Sequence, residues 1–403
     1  MLCEVNGGKN MTRFIHTADW QIGKPYRQIT DEQKRFKLQQ ERINAIGRIR
    51  EVSRIQSVDF VVIAGDLFDS PTPPTTSVLE VLEAIGEMDV PVLVIPGNHD
   101  HGALGTVWHR EDFLRHQRQM APNFQLLLER AQVELDSAVV LPCPLLRNKD
   151  SSDPTQWLRG IEWNSINPKK PRIVLAHGGV HGFGGKEYEQ DDEAQSGANN
   201  LIDLQALDQQ QIDYFALGDW HNLKQVSAHA WYPGTPEPDR FDQGEDNQRA
   251  QVLSVQLERG GTPQVETIPT GKLRWHNFRF RFNGDEDIER FERQVEECTS
   301  SRISRDLLRV EVSGSLSLAG HRRYNQLVED LHDRLLRLRL KGECQQAPEA
   351  SELEELTHRS SDPLIARVAQ QLQHRLNREE EPDSEQTALM RTALSELFRL
   401  TTR

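Results

Sequence analysis

Five short apolar runs, each ending on a carboxylate, an amide or an imidazole, constrain this chain more than any other feature. The first lies in FIHTADWQIG at 14–23. FVVIA at 60–64 runs into Gly65-Asp66, and VPVLVI at 90–95 runs into PGNHD. RIVLA at 172–176 runs into His177-Gly178-Gly179, and YFAL at 214–217 runs into GDWH. Unbroken apolar runs of this length are strands covered on both faces. Between the first two runs, residues 31–56 carry Phe36, Leu38, Ile43, Ile46, Ile49 and Ile55 at helical spacing; Thr76 to Met88 repeats the pattern with Val78, Leu79, Leu82 and Ile85. Alternating strands and helices predict an α/β layer fold, in which ligands collect at the carboxyl ends of the strands.

Further strands are expected at 251–257 and 264–268, after which the pattern changes. An alternating strand at 274–282, a helix at 286–297, a strand at 307–312, a helix at 321–336 and a short strand at 338–341 predict a separate small α+β domain. Residues 346–361 are polar and acidic and read as a linker. Asp362-Pro363 is a helix start, with Asp as cap and Pro in the first turn. Leu364, Ile365, Val368, Leu372 and Leu376 mark one face; a second helix after Asp383-Ser384 carries Leu389, Ala393, Leu394, Leu397 and Phe398. These stripes are expected to close on each other or on a coiled coil from another chain, the alternative being a hairpin folded onto the small domain. The expected organisation is a flexible leader at 1–10, a main domain at 11–270, a small domain at 271–345, a linker at 346–361 and closing helices at 362–403.

The formal net charge of −14 argues against whole-surface attraction to nucleic acid, though not against a local basic groove or a basic partner. Residues 271–345 hold 15 Lys/Arg against 13 Asp/Glu and are far less acidic than the rest. Four cysteines without a CxxC pair speak against a cysteine zinc site or a disulfide framework and fit a reducing cytoplasm. No apolar run is long enough to span a membrane.

The strand tips collect Asp19, Asp66, Asn98, His99, His177, Asp219 and His221. This set has oxygen and imidazole donors and no thiolate, which suits divalent Mn, Mg, Fe or Zn; its oxygen share leans to Mn and Mg. Taken singly, each is equally an ordinary loop residue or a helix cap. Their recurrence at five tips argues for one centre. Two cations about 3.5–4 Å apart, sharing a carboxylate, would activate water for in-line attack on phosphorus.

GDLFD at 65–69, GNHD at 97–100, the lone His177 and GDWH at 218–221 come in the order found in calcineurin-like metallophosphoesterases. With HTADWQIG at 16–23 and YPGTPE at 232–237, the first 270 residues resemble the SbcD-type DNA repair exonucleases. The resemblance implies a β-sandwich flanked by helices, a small α+β capping domain and C-terminal helices. It implies that Asp66 bridges two divalent metal ions, with Mn the first choice and Mg the alternative. Asp19, His221 and position 21 would complete one site; Asn98, His177 and position 219 would complete the other. His99 would orient the scissile phosphate or protonate the leaving oxygen. DNA as substrate, an SMC-like ATPase held by the closing helices, and a homodimer through the main domain's helices follow from the same resemblance.

Two positions depart from that family. Gln21 stands where it has His, and Asp219 where it has the first His of GHxH. A Gln oxygen ligates more weakly than imidazole, so Gln21 is expected to be a weak ligand or a holder of metal-bound water. Asp219 brings the site to three carboxylates with Asp19 and Asp66, a bias away from Zn. The alternative is a site that has lost its first metal and its chemistry.

The expected function is a metal-dependent DNA exonuclease or endonuclease subunit. A small phosphoester or cyclic nucleotide phosphodiesterase is the first alternative, although such an enzyme has no need of the closing helices. A non-catalytic scaffold with a degenerate site is the second. His16 is expected to pack within the sheets. His101 and His181 are candidates for the missing imidazole, against a solvated-loop reading. Trp20 and Trp220 either wall a pocket and stack on a base or are simply packed. Residues 24–54, with nine Lys/Arg against four Asp/Glu, form either a phosphate-facing edge or a solvated helix face. Gly234-Thr235 is expected to make a small turn near the substrate, and the acidic stretches 187–193 and 245–247 to be exposed loops.

Overall fold

Runs rich in Val, Ile and Leu pair into two six-stranded sheets that share a core. The computed structural model describes residues 11–182, 199–241, 249–346, 350–378 and 385–401. The leader 1–10, the stretches 187–193 and 245–247, and the Asp383-Ser384 helix start lie outside them. The chain divides into two units, one ending at Leu273 and one starting at Arg274.

In the first unit, β1 (Thr12–Thr17), β2 (Phe60–Ala64), β3 (Val92–Ile95) and β4 (Phe124–Leu126) run parallel. The second sheet follows from β5 (Val133–Glu134), β6 (Val139–Cys143), β7 (Arg172–His177), β8 (Tyr214–Gly218), β9 (Lys224–Ser227) and β10 (Ala230–Tyr232), ordered β5-β6-β7-β8-β10-β9. The chain then returns to the first sheet, adding β11 (Gln251–Leu257) and β12 (Gln264–Pro269) antiparallel beyond β1. Alternate side chains go to opposite faces. Phe14, Phe60, Val62, Leu93 and Ile95 meet Ile173, Leu175, Tyr214 and Ala216 between the sheets. Ile15, Val61, Ile63 and Val94 face α1 (Glu32–Ile55), α2 (Thr75–Gly86) and α3 (Glu111–Met120). Cover on both faces is why these strands read as unbroken apolar runs.

Three expectations need correction. Phe36 and Ile55, counted in the apolar helical pattern of residues 31–56, are 62% and 78% exposed. The packed face runs through Leu38, Ala45, Ile46, Ile49 and Val52; Phe36 precedes Leu38 by two residues, which places it on the far side of the helix, and Ile55 is the last helical residue. The strand β6 was not anticipated, because Pro142 lies inside it and proline argues against an inner strand. The supposed linker contains a helix, described next.

The second unit is a parallel sheet of β13 (Arg274–Phe282), β14 (Asp306–Leu316) and β15 (Arg337–Lys341), with β16 (Gln345–Gln346) paired to the end of β14. Helices α4 (Asp287–Thr299) and α5 (Leu318–Arg334) cover it through Phe291, Val295, Tyr324 and Leu331. Within residues 346–361, α6 (Ala350–Thr357) packs Leu353 and Leu356 against Leu318 and against α7 (Pro363–Leu376) and α8 (Glu385–Thr401). Acidic Glu352, part of what suggested a linker, is buried and accepts the N–H groups of Leu318 and Ala319 at the start of α5. Ala369, Leu372, Leu376, Leu394 and Leu397 join this cluster, so much of the closing stripes folds onto their own unit. Leu364, Val368 and Leu389 stay exposed.

Candidate metal centre

The strand tips carry strained backbone. φ is positive at Asp19 (54°), Gln21 (43°), Asp66 (53°) and Asp219 (108°), a region that non-glycine residues seldom occupy. The tips are stitched together across strands. Asp19 N–H donates to Gly65 O at 3.1 Å, and Gln21 N–H donates to Asp66 O at 2.8 Å. A Cβ at Gly65 would fall 2.3 Å from His177 Nδ1, and one at Gly97 would fall 2.1 Å from Asp66 Oδ1. The glycines of GDLFD and GNHD therefore leave the room that the functional side chains fill.

Asp19, Asp66 and His177 are buried, and one ligand atom from each lies within 4.8 Å of the others. His177 Nδ1 donates to Ala64 O at 2.7 Å, across the two sheets. Its Nε2 then faces only oxygens: Asn98 Oδ1 at 2.8 Å, Asp66 Oδ1 at 3.7 Å and Asp219 Oδ1 at 3.8 Å. Burial opposes charge on His177, but Asp66, Asp19 and Asp219 outweigh it and raise its pKa to about 9. Burial, aided by Asp66 and Asp219, pushes the Asp19 carboxyl well above its usual range. Oxygens converging on an imidazole whose other nitrogen is already fixed form a donor set that fits a divalent cation. Asp66, Asn98, His177 and Asp219 would hold it, with Asp19 beside them.

His99 is partly buried at the rim. Its N–H donates to Asp66 Oδ1 at 2.9 Å, and its Nδ1 donates to Asp69 O at 3.1 Å. The Asp66 charge raises its pKa, which suits a proton donor. Asp100 ties the two loops, accepting from Gly97 N at 2.7 Å and Phe68 N at 3.1 Å.

Gln21 and His221 form a different group. Gln21 Oε1 accepts from Lys24 Nζ at 3.0 Å, and Gln21 Nε2 faces His221 Nε2 at 3.3 Å. His221 Nδ1 lies 3.1 Å from Asp239 Oδ1, and Arg240 Nη2 is 2.9 Å from the same nitrogen. Burial drives the His221 pKa down to about 3. Asp239 is fully buried; burial raises its pKa, but Arg240, His221 and Lys24 outweigh this and hold it well below the usual range. Lys24, Asp239 and Arg240 were not singled out from the sequence. Their one signal is position, three residues after Gln21 and just beyond YPGTPE.

Arg42 was also missed. Buried, it donates from Nε to Trp20 O at 2.8 Å, from Nη1 to Glu237 O at 2.9 Å and from Nη2 to Asp19 O at 3.2 Å. Thr235 Oγ1 lies 3.0 Å from Asp19 O, so the Gly234-Thr235 turn supports the Asp19 tip. Much of the basic stretch 24–54 is engaged within the fold: Arg42 turns inward, Arg48 pairs with Glu237, Arg50 with Glu87 and Arg54 with Asp89. Trp20 and Trp220 are packed rather than open for stacking; Trp20 Nε1 donates to Thr17 Oγ1, and Trp220 lies against Tyr232. His16 bonds Tyr214 Oη and Leu217 O. Neither His101 nor His181 bonds Gln21, whose side-chain partners among the described residues are Lys24 and His221.

The family model for calcineurin-like phosphoesterases matches residues 12–243. The chain belongs to the calcineurin-like phosphoesterase family. The sandwich with flanking helices is the α/β architecture expected from the sequence. One relative is the DNA double-strand break repair protein Mre11 of Methanococcus maripaludis, 34% identical over 91 residues, which are 22% of this chain and 23% of that protein. Another is the SbcD component of the nuclease SbcCD of Escherichia coli, 22% identical over 284 residues, 64% of this chain and 68% of that protein. The chain thus spans about a quarter of the first relative and about two thirds of the second. Among the described residues, no helix is long and apolar enough to cross a membrane.

Proposed function

We propose that this chain is the nuclease subunit of a DNA repair complex, a metal-dependent phosphodiesterase acting on DNA. The observation that carries the reading is His177 Nε2 facing the Asn98, Asp66 and Asp219 oxygens, with His99 at the rim. These side chains and Asp19 hold a divalent metal that supplies activated water, and His99 orients the scissile phosphate or protonates the leaving oxygen. Three carboxylates favour Mn, with Mg as the next choice, over Zn. The relatives' names, a nuclease and a break-repair protein, support DNA as substrate.

The unit from Arg274 acts as capping domain and partner-binding arm. Exposed Leu364, Val368 and Leu389 support docking of an SMC-like ATPase on α7 and α8. Exposed Phe36 and Ile55 on α1 support a homodimer through the first unit's helices. Free Cys143, Cys298 and Cys344 support a cytoplasmic location; Cys3 lies outside the described residues.

The test is digestion of an end-labelled linear duplex and a single strand with Mn²⁺ or with EDTA, with Asp66→Ala and His99→Ala run beside the wild type. Mn-dependent loss of DNA that vanishes in both variants is the expected result. Intact DNA together with hydrolysis of a small phosphodiester would refute it in favour of a small-molecule enzyme.

A further inference from the structure

We infer that the metal centre of this chain takes one divalent ion rather than two, and that the Lys24 ammonium stands in for the other. The inference rests on the phosphodiesterase reading and narrows its cofactor. A ligand needs a free lone pair aimed at the ion. On the His177 side Nδ1 is fixed on Ala64 O, so Nε2 is the nitrogen directed to where an ion would sit among the oxygens of Asn98, Asp66 and Asp219. On the Gln21 side the condition is not met. The oxygen of Gln21, its ligating atom, accepts from Lys24 Nζ at 3.0 Å. Both nitrogens of His221 are already engaged: Nδ1 lies 2.9 Å from Arg240 Nη2 and 3.1 Å from Asp239 Oδ1, and Nε2 lies 3.4 Å from Arg240 Nη2. The Gln21 amide nitrogen covers Nε2 at 3.3 Å.

Lys24, Gln21, His221 and Asp239 therefore form one polar relay that leaves no side-chain donor atom on this side directed at a second ion. The relay is anchored at its ends, because Lys24 Nζ is also 3.2 Å from Asp239 Oδ2 and 3.7 Å from Asp69 Oδ1. Arg240 Nη2 adds a second cation, 2.9 Å and 3.4 Å from the two nitrogens of His221. A divalent ion placed here would displace an ammonium from its acceptors and sit beside a guanidinium. Lysine offers a compact fixed charge of the sign a metal would supply. The Gln21 amide uses its oxygen on Lys24 and its nitrogen on His221.

The experiment counts Mn²⁺ bound by the full chain after equilibrium dialysis and records its electron paramagnetic resonance spectrum. One ion per chain, with the hyperfine pattern of an isolated Mn²⁺, is expected. Two ions with a spin-coupled spectrum would overturn the inference. Gln21→His alone should stay at one ion. Gln21→His with Lys24→Ala, shown by circular dichroism to be folded, should rise to two and become spin-coupled; a folded double variant that stays at one would overturn the role given to Lys24. No bound Mn²⁺ in the wild type would sink both this inference and the proposed function. One ion with DNA left uncut would sink only the latter.

Discussion

Arg42→Met removes the side chain that holds the Asp19 tip to the rest of the first unit. The guanidinium serves three backbone carbonyls, those of Asp19, Trp20 and Glu237, all far from water. Thr235 Oγ1 lies within reach of Asp19 O at 3.0 Å and Glu237 O at 2.9 Å, but its one proton serves one of them. Two carbonyls are then left without a donor. At about 1–3 kcal/mol each, the loss is about 2–6 kcal/mol, and relief from burying a cation brings the expected value to about 3. Arg42→Lys keeps the charge but not the fork, so it should recover less than half of the loss. Urea unfolding followed by tryptophan fluorescence suits the measurement, because Trp275 is the one tryptophan of seven beyond Leu273. Mn²⁺ affinity of the folded variant is the second readout, since Asp19 moves with its backbone. A loss under about 1 kcal/mol with unchanged Mn²⁺ affinity would show that the tip holds itself and that Arg42 is not a positioning residue.

His16 is buried neutral with its pKa lowered to about 3 by burial, so between that value and the ordinary His pKa the unfolded chain binds the extra proton. Its stabilising contribution is whole above about pH 6.5 and is lost on acidification at about 1.4 kcal/mol per pH unit. Wild type should thus show a steeper fall in urea midpoint from pH 7 to pH 5 than His16→Gln, and equal slopes would count against this. Gly97→Ala, with its methyl 2.1 Å from Asp66 Oδ1, should lose Mn²⁺ binding while far-ultraviolet circular dichroism is kept. Binding retained by that variant would mean that Asp66 has freedom to move aside. Glu352→Ala leaves two N–H groups at the start of α5 without their acceptor, and should cost about 1–2 kcal/mol in the unit from Arg274, read by thermal unfolding of the full chain.

The sequence was most legible where one physical demand acted alone. Strands covered on both faces must be apolar throughout; β2 lies at its expected position, and β7 and β8 each run one residue beyond theirs. A sharp stop after such a strand needs Gly, Asp or Asn, and Gly65-Asp66 and Gly97-Asn98 supply it. Where two demands met, the reading failed. Pro142 hid β6, and the charge of residues 346–361 hid a helix whose Glu352 is buried as a cap rather than solvated.

Gln21 is the hardest case, because its meaning lies in residues distant along the chain. Read beside its neighbours in sequence, it is a weakened ligand. Beside His221, Asp239 and Lys24, it is the middle of a hydrogen-bond relay that an imidazole would not complete in the same way. The same holds for Asp219, 3.8 Å from His177 Nε2 and bonded through its N–H to both oxygens of Asp19 at 3.2 Å. The two departures therefore act in opposite directions on the two halves of the centre. Asp219 adds negative charge on the side to which His177 Nε2 is directed. Gln21 admits a lysine on the side where the lone pairs are already covered. Together they concentrate the demand for a metal at His177, Asp66 and Asn98, so a chain that departs from its family at two ligand positions keeps one site well suited to a divalent ion.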